Sequence, residues 1–175
     1  MIKSSAETIK MDEIKVLDVL EQHAKESVNE IVKRCGFARQ KVWKIIKHLE
    51  ENKIIWGYTA IFDTEIQGDQ KFILSIKRSG KILDKQSMSQ VANDRLEKII
   101  LDLGITIESS YYLIGEYDWI LIIRAKDLMQ AKKFTEILLT AYPGIVDKVN
   151  LSQILFIQRD HRVENPDKAK LKQFL

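Results

Sequence analysis

At 175 residues, with 45% hydrophobic and 30% charged side chains, seven glycines and two prolines, the chain has room for one or two packed cores and is neither disordered nor collagen-like. Its longest unbroken apolar run, Trp119 to Ile123, falls far short of the roughly 20 residues a membrane helix needs, and the polar start MIKSSAETIK lacks the apolar stretch of a secretory signal; a cytoplasmic protein with no membrane partner is expected. The formal charge of only +3 conceals an uneven distribution: residues 31–49 hold Lys33, Arg34, Arg39, Lys41, Lys44 and Lys47 without an acid, while residues 1–30 carry Glu7, Asp12, Glu13, Asp18, Glu21, Glu26 and Glu30. A local cationic patch attracts polyanions whatever the total.

A polar arm is expected over residues 1–10. From Met11 to Ala24, Val16, Leu17, Leu20 and Ala24 recur at helical spacing, and Asp12 and Glu13 suit the positive end of a helix. Ser27-Val28-Asn29-Glu30 has the form of a capping box, in which the serine side chain and the glutamate each satisfy an orphan amide. The second helix it opens is short, because Gly36 stands where a left-handed residue ends helices. A third helix follows from Ala38 to Glu51, with Val42, Ile45, Ile46 and Leu49 as its apolar stripe.

What opposes that stripe carries the function. At about 100° per residue, Gln40, Lys41, Lys44, Lys47 and His48 fall on the far side, with Arg39 and Trp43 flanking. Two helices joined by a short glycine-containing turn, the second with one core face and one cationic face, match the helix-turn-helix that sets a recognition helix in the major groove of double-stranded DNA, the competing reading being a three-helix bundle with a merely solvated face. Arg39, Gln40, Lys41, Lys44 and Lys47 are therefore the expected DNA contacts: Arg39 and Gln40 near the helix start for guanine and adenine edges, Lys44 and Lys47 for phosphates. Trp43 is expected to pack against the flank of the first helix, the alternative being contact with a DNA sugar.

Residues 52–62 are rich in β-formers and read as a strand connecting two domains, so that the DNA-binding domain spans 11–62. Residues 63–70 read as a linker. Strands are then expected at Phe72–Lys77, Thr106–Ile114, Trp119–Ala125 and Val149–Gln158, with a helix carrying Leu96, Ile99, Ile100 and Leu103 up to Gly104 and another over Asp127–Ala141. The order strand, helix, strand, strand, helix, strand over 71–160 is the ferredoxin-like unit, making the whole chain α+β. Both helices of that unit cover one sheet face. Residues 119–123 and 154–157 are apolar on both sides, so a second copy of the chain is expected on the other face, as a homodimer. Residues 161–175 read as a basic, partly ordered tail.

The sequence resembles the Lrp/AsnC (feast/famine) family of prokaryotic transcription regulators over about residues 11–160. The likeness rests on Ser27-Val28-Asn29-Glu30-Ile31, Gly36-Phe37, Val42, and Leu49 to Ile55 running into Gly57-Tyr58, then on Gly115-Glu116-Tyr117-Asp118 between two strands and Pro143-Gly144-Ile145-Val146 after the last helix. It implies a dimer made through the C-terminal domains, assembly into tetramers or octamers as in many members, and a small amino-acid effector held where such domains meet. Gly115, Tyr117 and Asp118 are the candidate effector residues: a glycine turn exposes amides to a carboxylate, and an aspartate holds an ammonium. The competing reading of those residues is an ordinary hairpin turn.

Three departures stand out. Ala38 replaces the serine that commonly caps the recognition helix, Ile45 stands where arginine is common, and the segment 79–92 is longer than usual. The alternative function is an enzyme of similar layout, such as a siroheme decarboxylase-like protein, but no nucleophile with a neighbouring base, phosphate loop or paired carboxylates is legible, so no catalytic residue is assigned. His23, His48 and His161 share no metal-ligand spacing with Cys35, the single cysteine; no metal and no cofactor are expected.

Overall fold

The computed structural model describes residues 5–80 and 95–175. The chain divides into two compact units, Met1–Phe62 with Gln158–Leu171, and Asp63–Ile157 with Lys172–Leu175. The first unit is built on α1 (Ser5–His23), α2 (Val28–Cys35) and α3 (Arg39–Glu51). Val16 and Leu20, Ile31 and Cys35, and Val42 form its core, each pair one helical turn apart so that both members face inward. Burial pushes the Cys35 thiol up. α1 starts six residues before the expected Met11; nothing in Ala6-Glu7-Thr8-Ile9-Lys10 breaks a helix, and once packed turns have nucleated it, each added residue gains a hydrogen bond.

The ends of α2 and α3 follow their sequence signals. The Glu30 amide donates to Ser27 Oγ at 3.4 Å, but the box is half-formed, because the Glu30 carboxylate turns forward to Lys33 Nζ at 2.8 Å. Gly36 adopts φ +64° and its amide donates to the Val32 carbonyl, the left-handed ending its position predicts. Ala38 has the extended cap conformation with no side-chain hydrogen bond. At the other end of α3 the Asn52 side-chain amide donates to the His48 carbonyl at 2.8 Å, and Lys53, not a glycine, takes φ +56°.

The strand expected over 52–62 does not form. Residues 56–63 have no regular secondary structure, and Trp56 is 95% exposed. β-propensity records the fit of a side chain to a pleated, paired surface, and among the described residues no strand pairs with this segment. Tyr58 instead donates its hydroxyl to Glu50 Oε1 at 2.8 Å; partial burial, then that carboxylate, push the phenol up to about 12.

The second unit opens on a single 3-10 turn, Thr64–Gln67, capped by Asp63 and closed by Gly68 at φ +72°, where a linker is expected. The strands β1 (Gln70–Arg78), β2 (Thr106–Tyr112), β3 (Trp119–Ala125) and β4 (Val146–Gln153) and the helices α4 (Arg95–Leu103) and α5 (Leu128–Ala141) follow in the ferredoxin-like order. The sheet runs β2-β3-β1-β4, every pair antiparallel. Phe72, Leu74 and Ile76 lie opposite Ile123, Leu121 and Trp119, and this stripe packs with Ala131, Phe134 and Leu138 of α5 and with Leu96, Ile100 and Leu103 of α4. Full burial of one such side chain contributes roughly 1.5–3 kcal/mol. The expectation for Ile99 and, beyond Gly80, that for the segment 79–92 lie outside the described residues.

The opposite sheet face differs from the expectation in part. Ile73, Ser75, Ile120 and Ile122 are half-buried there, but at one end Lys71 Nζ meets Glu108 at 2.7 Å and Arg124 meets Glu108 at 3.0 Å and Asp69 at 3.7 Å. β4 starts at Val146 and ends at Gln153, the Ile154 amide makes a last hydrogen bond to the Lys71 carbonyl at 2.9 Å, and beyond it Phe156 faces Phe174, ring centroids 6.3 Å apart. β2 likewise ends at Tyr112, two residues early. The C-terminal segment is folded: β5 (Arg159–Asp160) pairs with β6 (Val163–Glu164) around His161 and Arg162, both at positive φ, and a 3-10 turn spans Lys168–Gln173.

Candidate nucleic-acid interface

Val42 and Leu49 of α3 are buried and Ile45 and Ile46 half-buried, so the stripe read from the sequence fixes which side of the helix faces out. Arg39, Gln40, Lys41, Lys44 and Lys47 all lie on the exposed side. Trp43 joins them instead of packing on α1: it is 54% exposed, with Lys47 Nζ 5.2 Å from its ring centroid. Its position flanks the stripe, and the small core of this unit closes before reaching it.

The cationic run looks different once folded. Arg34 makes a two-pronged contact with Glu26, at 2.7 and 2.6 Å, and this fork both holds the Glu26 carboxyl below the usual carboxylate range and raises the guanidinium. Lys33 pairs with Glu30. Lys41 Nζ lies 2.6 Å from Asp12 Oδ2 and 4.3 Å from the centre of the Phe37 ring. Lys47 approaches Glu51 at 3.6 Å, an i,i+4 pair with both partners exposed. Among the described residues Arg39 and Lys44 have no carboxylate partner. A run without internal acids is thus largely neutralised by acids from other turns and helices, and the unpaired charge sits at the start and middle of α3.

α1 contributes two residues that the sequence reading assigns only to its dipole. Asp12 holds Lys41, and Glu13 Oε1 lies 3.4 Å from His48 Nε2, while the Asn52 side-chain amide lies 3.0 Å from His48 Nδ1. Each ring nitrogen of His48 therefore has a polar partner. A signal for this was present: Asp12 stands four and eight residues before Val16 and Leu20, on the buried side of α1, where a carboxylate needs a partner.

In the second unit, Gly115, Tyr117 and Asp118 occur in the loop between β2 and β3. The space around Gly115 is open. The Asp118 carboxylate accepts the Arg78 amide at 2.9 Å and faces Lys77 Nζ at 3.4 Å; the amide, then the lysine, hold it below the usual carboxylate range. The Asp118 amide donates to the Ile76 carbonyl at 3.0 Å, so this residue ties the hairpin to β1. In the C-terminal segment, Arg162 reaches Glu21 of α1 at 2.5 Å.

Residues 12–55 match the family described as winged helix-turn-helix DNA-binding. The chain is 30% identical over 141 residues to the HTH-type transcriptional regulator FL11 of Pyrococcus horikoshii, covering 78% of this chain and 85% of that one. It is 28% identical over 134 residues to the Bkd operon transcriptional regulator of Pseudomonas aeruginosa (76% and 82%), and 23% identical over 135 residues to the leucine-responsive regulatory protein of Haemophilus influenzae (77% of each). Among solved structures, a feast or famine regulatory protein from M. tuberculosis complexed with L-methionine shares the fold with a TM-score of 0.69 at 18% identity, over 90% of this chain and 99% of that one. An L-methionine complex of a transcriptional regulator from Neisseria meningitidis gives 0.63 at 18%, over 91% and 97%. These relatives carry the names of regulators, and nothing among them supports the enzyme alternative.

Proposed function

The chain belongs to the Lrp/AsnC family of transcription regulators, and from that premise we propose that α3 reads DNA from its exposed side in a homodimer that answers to an amino-acid effector. Arg39 and Gln40, in the first turn of α3, take base edges, and Lys44 and Lys47 take phosphates. The observation that carries this is the pair of exposed cations without a carboxylate partner among the described residues, Lys44 opposite Val42 and Leu49 and Arg39 on the flank of that stripe. The Lys47 pair with Glu51 is no obstacle, since an exposed i,i+4 pair is worth only about 0.3–0.5 kcal/mol. Lys41 shares the face but is held by Asp12.

The double substitution Lys44→Ala with Lys47→Ala tests the reading. It lowers the slope of log affinity against log salt by about 1.8, at about 0.9 for each phosphate no longer neutralised. An unchanged affinity and slope in a folded variant reject the assignment.

Two further parts of the proposal have separate support. Ile73, Ile120 and Ile122 leave an apolar band on the sheet face opposite the helices, suited to a second copy, and a two-fold dimer presents two recognition helices to half-sites about one helical turn, or a multiple, apart. Sedimentation equilibrium tests it, a monomer at micromolar concentration being the contrary result. Larger tetramers or octamers register in the same measurement. For the effector, two proteins of this fold were solved with L-methionine, and an amino acid at Gly115, Tyr117 and Asp118 has open space beside the glycine while sharing Asp118 with Lys77. Calorimetry against the twenty common amino acids decides it; no heat from any of them removes the effector. A cytoplasmic location belongs to the same proposal, supported by the likeness to prokaryotic transcription regulators; among the described residues no helix is long and apolar enough to cross a membrane.

A further inference from the structure

We infer that Asp12 of α1 limits the sequence-blind affinity of α3 for DNA: it withholds Lys41 from phosphate. The inference rests on α3 being the DNA-reading helix. Lys41 lies on the exposed side of α3 among the proposed contacts, yet its ammonium is 2.6 Å from Asp12 Oδ2 and 4.3 Å from the Phe37 ring centre. The two ion pairs on this face differ in kind. Glu51, the partner of Lys47, is 63% exposed, whereas Asp12 is only 18% exposed. A carboxylate screened from water loses hydration and depends on its partner cation, so it holds that cation against a competing phosphate, while a solvated pair exchanges freely. Glu13 acts alongside on His48, whose two ring nitrogens both have partners.

The consequence is electrostatic. Non-specific affinity is set by the number of phosphates that free cations neutralise. A regulator that keeps one lysine of its reading helix internally paired gives up one sequence-blind contact without losing a base contact. α1 therefore trims the charge of a surface that α3 presents.

The test uses the full chain and a random-sequence duplex of about 30 base pairs, titrated between about 50 and 200 mM salt. Asp12→Asn is expected to bind tighter at low salt, with the salt slope steeper by about 0.9, which adds roughly a 3-fold fall in affinity across that range. Asp12→Glu, which keeps the charge, stays near the wild-type slope, and adding Lys41→Gln to Asp12→Asn restores it. A slope for Asp12→Asn equal to or below that of the wild type overturns the inference, as does a gain that survives in the double variant. Amine labelling of the unsubstituted protein provides an independent readout: Lys44 becomes protected on adding the duplex and Lys41 does not, and equal protection of both overturns the inference even where Asp12→Asn fails to fold. Absence of wild-type binding at low salt overturns the reading of α3 itself, and this inference with it, which separates the two failures.

Discussion

The helical unit and the sheet unit bury apolar surface on different scales. Among the described residues, fourteen buried side chains form one continuous cluster under the sheet, whereas five form the core of the three helices. The helical unit also carries ion pairs at its margins, where Asp12 meets Lys41, Glu13 meets His48 and Glu26 meets Arg34. In the sheet unit the main charged cluster, around Lys71, Glu108 and Arg124, lies on the face away from the helices and plays no part in closing the core. The contrast teaches that in a small helical domain many surface cations are tied to acids of neighbouring turns and helices, so that sequence charge overstates the charge left unpaired.

The contrast can be broken first at the cores. Phe134→Ala removes the largest fully buried side chain of α5 and is expected to cost about 3–5 kcal/mol, against about 2–3 kcal/mol, the lower part of the range for such truncations, for Ile31→Ala in the smaller core; urea unfolding measures both. Equal losses would show that core size does not separate the two units. A smaller effect sharpens the helical side: Ala38→Ser supplies the missing cap to α3, whose Ala38 already has extended φ and ψ, for a gain of about 1 kcal/mol. No rise in thermal stability would mean the amides at that end find other partners.

The smallest effect belongs to the sheet side. The Asp118 carboxyl, held down by the Arg78 amide and then by Lys77, contributes stability that is present above the ordinary aspartate value of about 3.9 and is lost as pH falls through its lower folded value. Asp118→Asn therefore flattens the acid limb of the stability profile below about pH 4 and leaves the neutral range parallel to wild type. An acid limb of unchanged steepness would remove Asp118 as its source.

Features legible in the sequence are those whose cause lies within a few residues. The α3 stripe at Val42, Ile45, Ile46 and Leu49, the cap at Ser27, the stop at Gly36 and the strand Trp119–Ala125 appear where spacing and composition put them. The candidate site is half legible: periodicity chooses the exposed side of α3, but not which of its cations are paired. Trp43 departs from its expected packing because an aromatic beside a stripe is buried only if a neighbour is large enough to cover it. Residues 52–62 carry strand composition without a partner in the described chain, and the hairpin of residues 159–164 turns on His161 and Arg162, neither of which advertises positive φ as Asn-Gly does. Arg162 meets Glu21 across 141 residues of sequence, a separation at which no local pattern carries information.

By itself the sequence determined the order of the main helices and strands and the side of α3 that is exposed, because periodicity, caps and turns act through neighbours three or four positions apart. Only the tertiary structure decided how much of the positive charge remains available. Coulomb attraction depends on distance in space, and the packing of α1 against α3 brings Asp12 to Lys41 and Glu13 to His48 while leaving Arg39 and Lys44 without a carboxylate among the described residues.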